Sequence, residues 1–196
     1  MKDCITLSTI DEIKAYSDPY RMQILNCFHD MRKPATVKQV ADKMGEVPAK
    51  VYYHVKKLEK YGLLTLVNTE VINGIVAKYY EPGAKYINID NDKIDNATKK
   101  VFENEVQKVI HHNFIKAENN FMDSIKKLEK FDEKDKEKRI KGGTLSIDTV
   151  YVSDEEIVEL KNYLADFMEK HSQKCNGKTP YQIFNTIVNM EEIDKE

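Results

Sequence analysis

Long hydrophobic runs are what this sequence most plainly lacks. No stretch is apolar for long enough to span a bilayer, and the N-terminal MKDCITLSTIDEIK is broken by acidic and polar residues where a secretory leader is apolar. Cysteine is scarce as well. Cys4, Cys27 and Cys175 are odd in number, far apart and without a Cys-x-x-Cys spacing, which argues against a disulfide framework or a zinc finger and for a reducing cytoplasm. Cys27 stands near His29, but a thiolate site needs at least two cysteines in a short window. No metal site or cofactor is therefore expected, and Cys27 reads as a small core residue. There is no P-loop, GxGxxG, HExxH or GxSxG, and 33 acidic residues produce close carboxylate pairs by chance, so no enzymatic activity is expected.

What is present is the composition of an ordinary soluble protein: 41% hydrophobic and 33% charged, with 7 Gly and 5 Pro in 196 residues. That length buries one sizeable core or two small ones. The net charge of -2 hides a gradient. Between positions 32 and 60, Arg32, Lys33, Lys38, Lys43, Lys50, Lys56, Lys57 and Lys60 face only Asp42, Glu46 and Glu59, a balance of 8 - 3 = +5. From 154 to 196 the acids outnumber the bases. A basic segment on an acidic chain fits docking on phosphate through one face, although a merely solvated lysine face has the same composition.

The basic segment is also where local signals are densest. In TVKQVADKMGEVPAKVYYHVKKLEKYG, Thr36 and Gln39 form a capping box, Val37, Val40 and Met44 give a first helix its apolar side, and Gly45 ends it. Pro48 opens a second helix over about 49–61, in which Val51, Val55 and Leu58 recur at helical spacing. Lys50, Tyr52, Tyr53, Lys56, Lys57 and Lys60 are left on the other faces, as a major-groove reader requires. Lys38 lies on the first helix of the pair. His54 is expected to make a hydrogen bond at the junction of this helix with the following hairpin, ahead of a direct base or phosphate contact. After Gly62 the period changes to two. LLTLVNTEV and INGIVAKYY are rich in β-branched and aromatic residues and Asn73-Gly74 is a strong hairpin signal, and a hairpin behind a reading helix is a wing that brings Asn73 and Lys78 toward DNA backbone or minor groove. Pro82-Gly83 closes it and AKYINID adds a short extended piece.

Upstream, an extended lead from Ile5 precedes a helical turn capped by Ser8 or Thr9. Asp18 and Pro19 then start a helix whose stripe is Met22, Leu25 and, with them, Ile24 and Phe28. Downstream, 92–131 reads as one long helix. Phe102, Val106, Val109 or Ile110, Phe114, Ala117, Phe121, Ile125 and Leu128 recur every three to four residues, a stripe that suits pairing with another helix, either within the chain or across a dimer two-fold. EKFDEKDKEKRIKGG is almost purely charged. TLSIDTVYV is then expected as a strand, Ser153 and Glu156 as a capping box for a helix striped by Ile157, Leu160, Leu164, Phe167 and Met168, and YQIFNTIVNM as a second strand.

YSDPYRMQILNCF, TVKQVADKMGEVPAKVYYHVKKLEKYGLL and INGIVAKYY together resemble the winged helix-turn-helix of ArsR-type bacterial transcription regulators, over Ile10 to Ile89, and most closely the non-metal branch with an added C-terminal domain. The resemblance implies a homodimer reading a palindromic operator, usually as a repressor released by a signal. The family's recognition helix typically presents a small hydroxyl residue and an arginine where this chain has Tyr52 and Tyr53, and often threonine at Lys50. The Cys-x-Cys motif of metal-sensing members has no counterpart, so metal sensing is not implied.

The expected architecture is α+β and mainly helical. A DNA-binding winged helix-turn-helix occupies 1–90, a dimerisation helix with Phe102, Val106, Ile110, Phe114, Phe121, Ile125 and Leu128 occupies 91–141, and a small strand–helix–strand unit occupies 142–196. That last unit either adds to the dimer or houses a small-molecule effector, in a pocket formed by Tyr151, Phe167, Tyr181 and Phe184. The expected partners are double-stranded DNA and a second copy, without a membrane. The alternative is a protein–protein adaptor that uses the winged-helix head as a docking surface.

Overall fold

Side-chain caps set the helices at the start of the chain. The computed structural model describes residues 2–90, 94, 97–128, 144–172 and 175–193, and the chain divides into two units, Met1–Asn119 and Asn120–Glu196. In the first unit, Thr9 and Glu12 form a capping box at α1 (Ile10–Ser17). Asp18 accepts from the Arg21 amide at 2.9 Å to start α2 (Pro19–Met31). Thr36 and Gln39 cap α3 (Val37–Met44), which Gly45 ends in the left-handed region at φ 68°. Pro48 occupies the first turn of α4 (Pro48–Lys60), where its missing amide proton costs nothing. Ile13, Ile24, Phe28, Val40, Val51, Val55 and Leu58 close one shared core. Each such side chain contributes about 1.5–3 kcal/mol by leaving water, so the three from α4 anchor that helix firmly.

The hairpin forms at the expected place. β3 (Leu64–Ile72) and β4 (Ile75–Pro82) pair antiparallel from Leu64↔Pro82 to Ile72↔Ile75, with a register shift between Leu66 and Asn68. Asn73 and Gly74 both take positive φ, 50° and 79°, as the two-residue turn matching strand twist demands. Two features are non-local additions. β2 (Ala35–Thr36) joins the hairpin through Tyr80 and Tyr79, giving the sheet order β2-β4-β3. β1 (Lys2–Leu7) pairs in parallel with β5 (Ala84–Ile89), which leaves the wing. Gly83 sits where these meet. Its amide donates to the Leu63 carbonyl and its carbonyl accepts from Lys2, both at 2.9 Å, and a Cβ there would overlap the carbonyl oxygen of Gly62.

The long helix α5 (Lys99–Leu128) begins later than expected, at Lys99. Within the first unit it packs onto the head it follows. Phe102 lies against the core, Val109 is buried, the Ser17 hydroxyl donates to the buried Glu105 carboxylate, and the Asn26 amide and His112 Nε2 are 3.2 Å apart. Phe102 thus packs on its own head, and of the two alternatives Val109 points inward while Ile110, one residue and about 100° further round, is exposed. Val106 is half-buried between these faces, and Phe114 lies on the same side as Ile110.

In the second unit the remaining turns of α5 half-bury Phe121 and Ile125. The Leu128 side chain, like the charged stretch 129–143, lies outside the described residues. Ser153 and Glu156 cap α6 (Asp154–Lys170) as expected, and α7 (Met190–Ile193) follows. TLSIDTVYV and residues 181–189 of YQIFNTIVNM carry no regular secondary structure and join no sheet among the described residues, and Met190 already belongs to α7. Alternation of side chains gives a strand its two faces, but only a partner edge makes a ladder, and none lies beside either segment among the described residues. The fold is mixed α+β with a helix-turn-helix head.

Candidate nucleic-acid interface

α4 is held by its fully buried Val51, Val55 and Leu58, and what remains of its circumference is the candidate interface. Tyr53, Lys56, Lys57 and Lys60 face outward, with Tyr53 67% exposed. Tyr52, 45% exposed, lies on the edge toward the wing. The fields of Tyr52, Lys56 and Glu59 all reach the buried Tyr80 of β4. The opposite edge leans on α2. There Lys50 Nζ sits 4.3 Å over the Tyr20 ring, and the His54 ring meets Tyr20 edge-on at 4.7 Å. His54 thus packs toward α2, not toward the hairpin, because position 54 falls on the far side of Val51 and Val55 from Tyr52. Its Nδ1 is buried without a hydrogen-bond partner, and burial holds its pKa below the ordinary histidine value.

The cations of this face are largely paired. Lys38 meets Asp42 at 2.8 Å, Lys50 meets Glu46 at 2.8 Å, and Lys56 meets Glu59. These hydrogen bonds to carboxylates raise the pKa of Lys50 and of Lys56 above the ordinary lysine value. All three acids of the basic segment are consumed in this way. Lys43 approaches Asp30 at 4.0 Å, and Lys57 makes no ion pair among the described residues. The acid partners and Tyr20 were not expected as part of the site, although Lys38/Asp42 and Lys56/Glu59 are visible helical neighbours; Glu46 reaches Lys50 from the turn before α4.

The wing tip differs in chemistry from the helix face. Asn73 and Lys78 are exposed, but Val71 and Ile75 are each 73% exposed and Ile72 and Val76 stand beside them, so residues 71–77 form an uncharged apolar tip. The anticipated pocket of Tyr151, Phe167, Tyr181 and Phe184 is not enclosed. Tyr151 is 96% exposed and the other three are exposed too, since no sheet closes over α6. A shallow cavity of about 110 Å³ lies instead in the first unit, lined by Tyr16, Met22, Leu25, Asn26, His29, Lys85, Ile87 and Asn113. Among the described residues no group of three or more His, Cys, Asp or Glu is placed to hold a metal. No helix among them is long and apolar enough to cross a membrane.

A capped helix, a glycine turn, a second helix with an open cationic and aromatic face, and a two-residue hairpin immediately behind it define the winged helix-turn-helix class. A family model described as a helix-turn-helix domain matches residues 16–67, from the end of α1 into β3. No curated protein matches the chain. The N-terminal region is therefore a helix-turn-helix domain of the ArsR-like winged type, a class whose business is DNA binding and transcription regulation.

Proposed function

We propose that the protein is a homodimeric, sequence-specific DNA-binding regulator that represses transcription from a palindromic operator. α4 lies in the major groove and the wing rests on the adjacent backbone or minor groove. The observation that carries this reading is the rigidly seated α4, whose whole free face offers Tyr52, Tyr53, Lys56 and Lys57 to one side. The tyrosines reach base edges or phosphates, while Lys38, Lys50, Lys56, Lys57 and Lys78 position the head on the backbone. The exposed side of α5 at Ile110 and Phe114 supplies the seam for a second copy.

A mobility-shift titration against the DNA flanking its own gene tests the reading. Sequence-preferring binding that weakens with salt is the expected result, and Tyr53→Ala with Lys57→Ala should weaken it while thermal unfolding stays unchanged. Absence of any salt-dependent shift sinks the proposal. The apolar wing tip favours a second reading, a protein–protein adaptor docking through the head. In that case neutralising the lysines leaves partner affinity untouched and no DNA complex forms.

A further inference from the structure

The distal end of the wing is apolar on both faces and braced just behind. In the β3/β4 ladder Val71 pairs with Val76 and Ile72 with Ile75. Side chains alternate across a strand, so the valines occupy one face of the ribbon and the isoleucines the other. All four are exposed, and no charged residue stands between Glu70 and Lys78. Glu70 accepts from Asn68 Nδ2 at 3.2 Å along its own strand and from the Tyr79 hydroxyl at 3.0 Å across the ribbon. This polar brace separates the tip from Leu66 and Val67, the next exposed apolar residues of β3. Buried Leu64 and Tyr80 fix the base of the ribbon in the head.

A protein or a DNA duplex could meet such a tip, and size decides between them. An aliphatic side chain offers less than the area of an aromatic one, so two of them present about 300 Å² at most on either face. A protein partner takes about 800 Å² from each side, and the two faces of the ribbon look away from each other. DNA is met end-on instead. Only residues 61–63 separate α4 from β3, so a helix seated in the major groove carries the ribbon to the flanking minor groove. That groove is about 6 Å wide when undisturbed, whereas a sheet clothed on both faces is about 10 Å thick. The tip therefore enters only by opening the groove. Apolar side chains do this by slipping between base pairs, whose flat faces cover them as phosphates cannot.

We infer that the wing tip is a wedge: Ile72 and Ile75, which flank the Asn73-Gly74 turn, enter a base step from the minor groove, unstack it and bend the operator. This deepens the DNA-binding reading above and rests on it. The wing then selects sequence by how easily a step opens, so the operator carries a pyrimidine–purine step, such as TA, where the tip falls.

The test uses the full chain on a duplex selected by binding from random sequence, with the wing position located by footprinting. Energy transfer between dyes at the duplex ends reads the bend, and 2-aminopurine placed at the step reads unstacking. The expected result is a bend of about 20–90° and a several-fold rise in 2-aminopurine emission. Replacing TA by AA at that step should weaken binding about tenfold. Ile72→Ser/Ile75→Ser changes two exposed residues, so thermal unfolding should stay as it is while the bend, the emission and the preference for TA are lost. Ile72→Lys/Ile75→Lys should lose the bend as well. A straight duplex with a stacked step, bound equally by the serine variant, overturns the wedge and leaves DNA binding through α4 standing. Tighter binding of a straight duplex by the lysine variant also overturns it, by making the tip a phosphate contact. A chain that binds no duplex overturns the wedge and the DNA-binding reading alike.

Discussion

Removing negative charge from the reading head should strengthen DNA binding by a predictable amount. Asp42, Glu46 and Glu59 each hold a lysine of the candidate interface, at 2.8 Å for the first two pairs. The Lys38–Asp42 pair is exposed and the other two keep an exposed lysine on a half-buried glutamate; surface pairs at such spacings are worth about 0.3–0.5 kcal/mol each. A lysine that reaches a phosphate must first leave its carboxylate, so that energy is subtracted from binding. The combined variant Asp42→Asn, Glu46→Gln, Glu59→Gln should therefore lose no more than about 1.5 kcal/mol of folding stability. It should bind operator about five- to tenfold more tightly, since about 1.4 kcal/mol is a factor of ten. Fluorescence anisotropy at several salt concentrations measures it. The lysine counterpart, Lys38→Gln, Lys50→Gln, Lys56→Gln, should flatten the plot of log affinity against log salt by about 0.9 for each phosphate contact removed. Unchanged or weaker binding in the acid-neutralised variant, with its unfolding transition intact, would show that this face does not meet phosphate.

Three further outcomes are expected. Gly83→Ala drives a methyl into the Gly62 carbonyl where the recognition helix ends and the wing leaves, so thermal unfolding should fall by several degrees and DNA binding should weaken with it; a wild-type melting curve would refute the packing. Tyr80 is fully buried with its hydroxyl unpartnered, so Tyr80→Phe should change unfolding free energy by less than about 0.5 kcal/mol or raise it, because an unmet hydroxyl is removed and the ring is kept; a loss above about 1.5 kcal/mol would reveal a partner. His29, His54 and His112 all have pKa values held below the ordinary histidine value, burial being the largest cause in each. The unfolded chain then binds more protons than the folded one at mildly acidic pH, so stability is full above about 6.5 and is lost as pH falls from there toward the lowered folded values. Denaturant titrations between pH 7.5 and 5 should show that decline, and replacing the three histidines with glutamine should flatten it.

The parts of the head legible in the sequence are those decided within a few residues. Thr36 with Gln39, Pro48, the Val51/Val55/Leu58 spacing and Asn73-Gly74 each carry their geometry locally, and each forms as read. What stayed hidden depends on distant chain. β2 is two residues long and exists only because Tyr79 and Tyr80 lie beside it, and β1 finds β5 across the whole head. On α5 the apolar period leaves Val109 and Ile110 as alternatives for one stripe, and only the docked head shows that Val109 is the one it buries. His54 was read toward the hairpin because sequence order places the hairpin next, whereas the helix rotation turns it to Tyr20. TLSIDTVYV and YQIFNTIVNM alternate as strands do, but alternation names no neighbour.

α2 has a consequence for control. It meets α4 through Tyr20, against both His54 and Lys50; it meets the wing sheet through Phe28, whose ring lies 6.5 Å from that of Tyr80; and it meets α5 through Asn26 and His112. Met22, Leu25, Asn26 and His29 of the same helix line the cavity. One helix thus stands under both elements proposed to meet DNA and beside the long helix, like the crossbeam of a balance. A molecule lodged in that cavity that tilts the beam and loosens operator binding by some factor must itself be held more weakly by that factor once operator is bound. Occupancy measured with and without DNA would then weigh the two arms against each other directly.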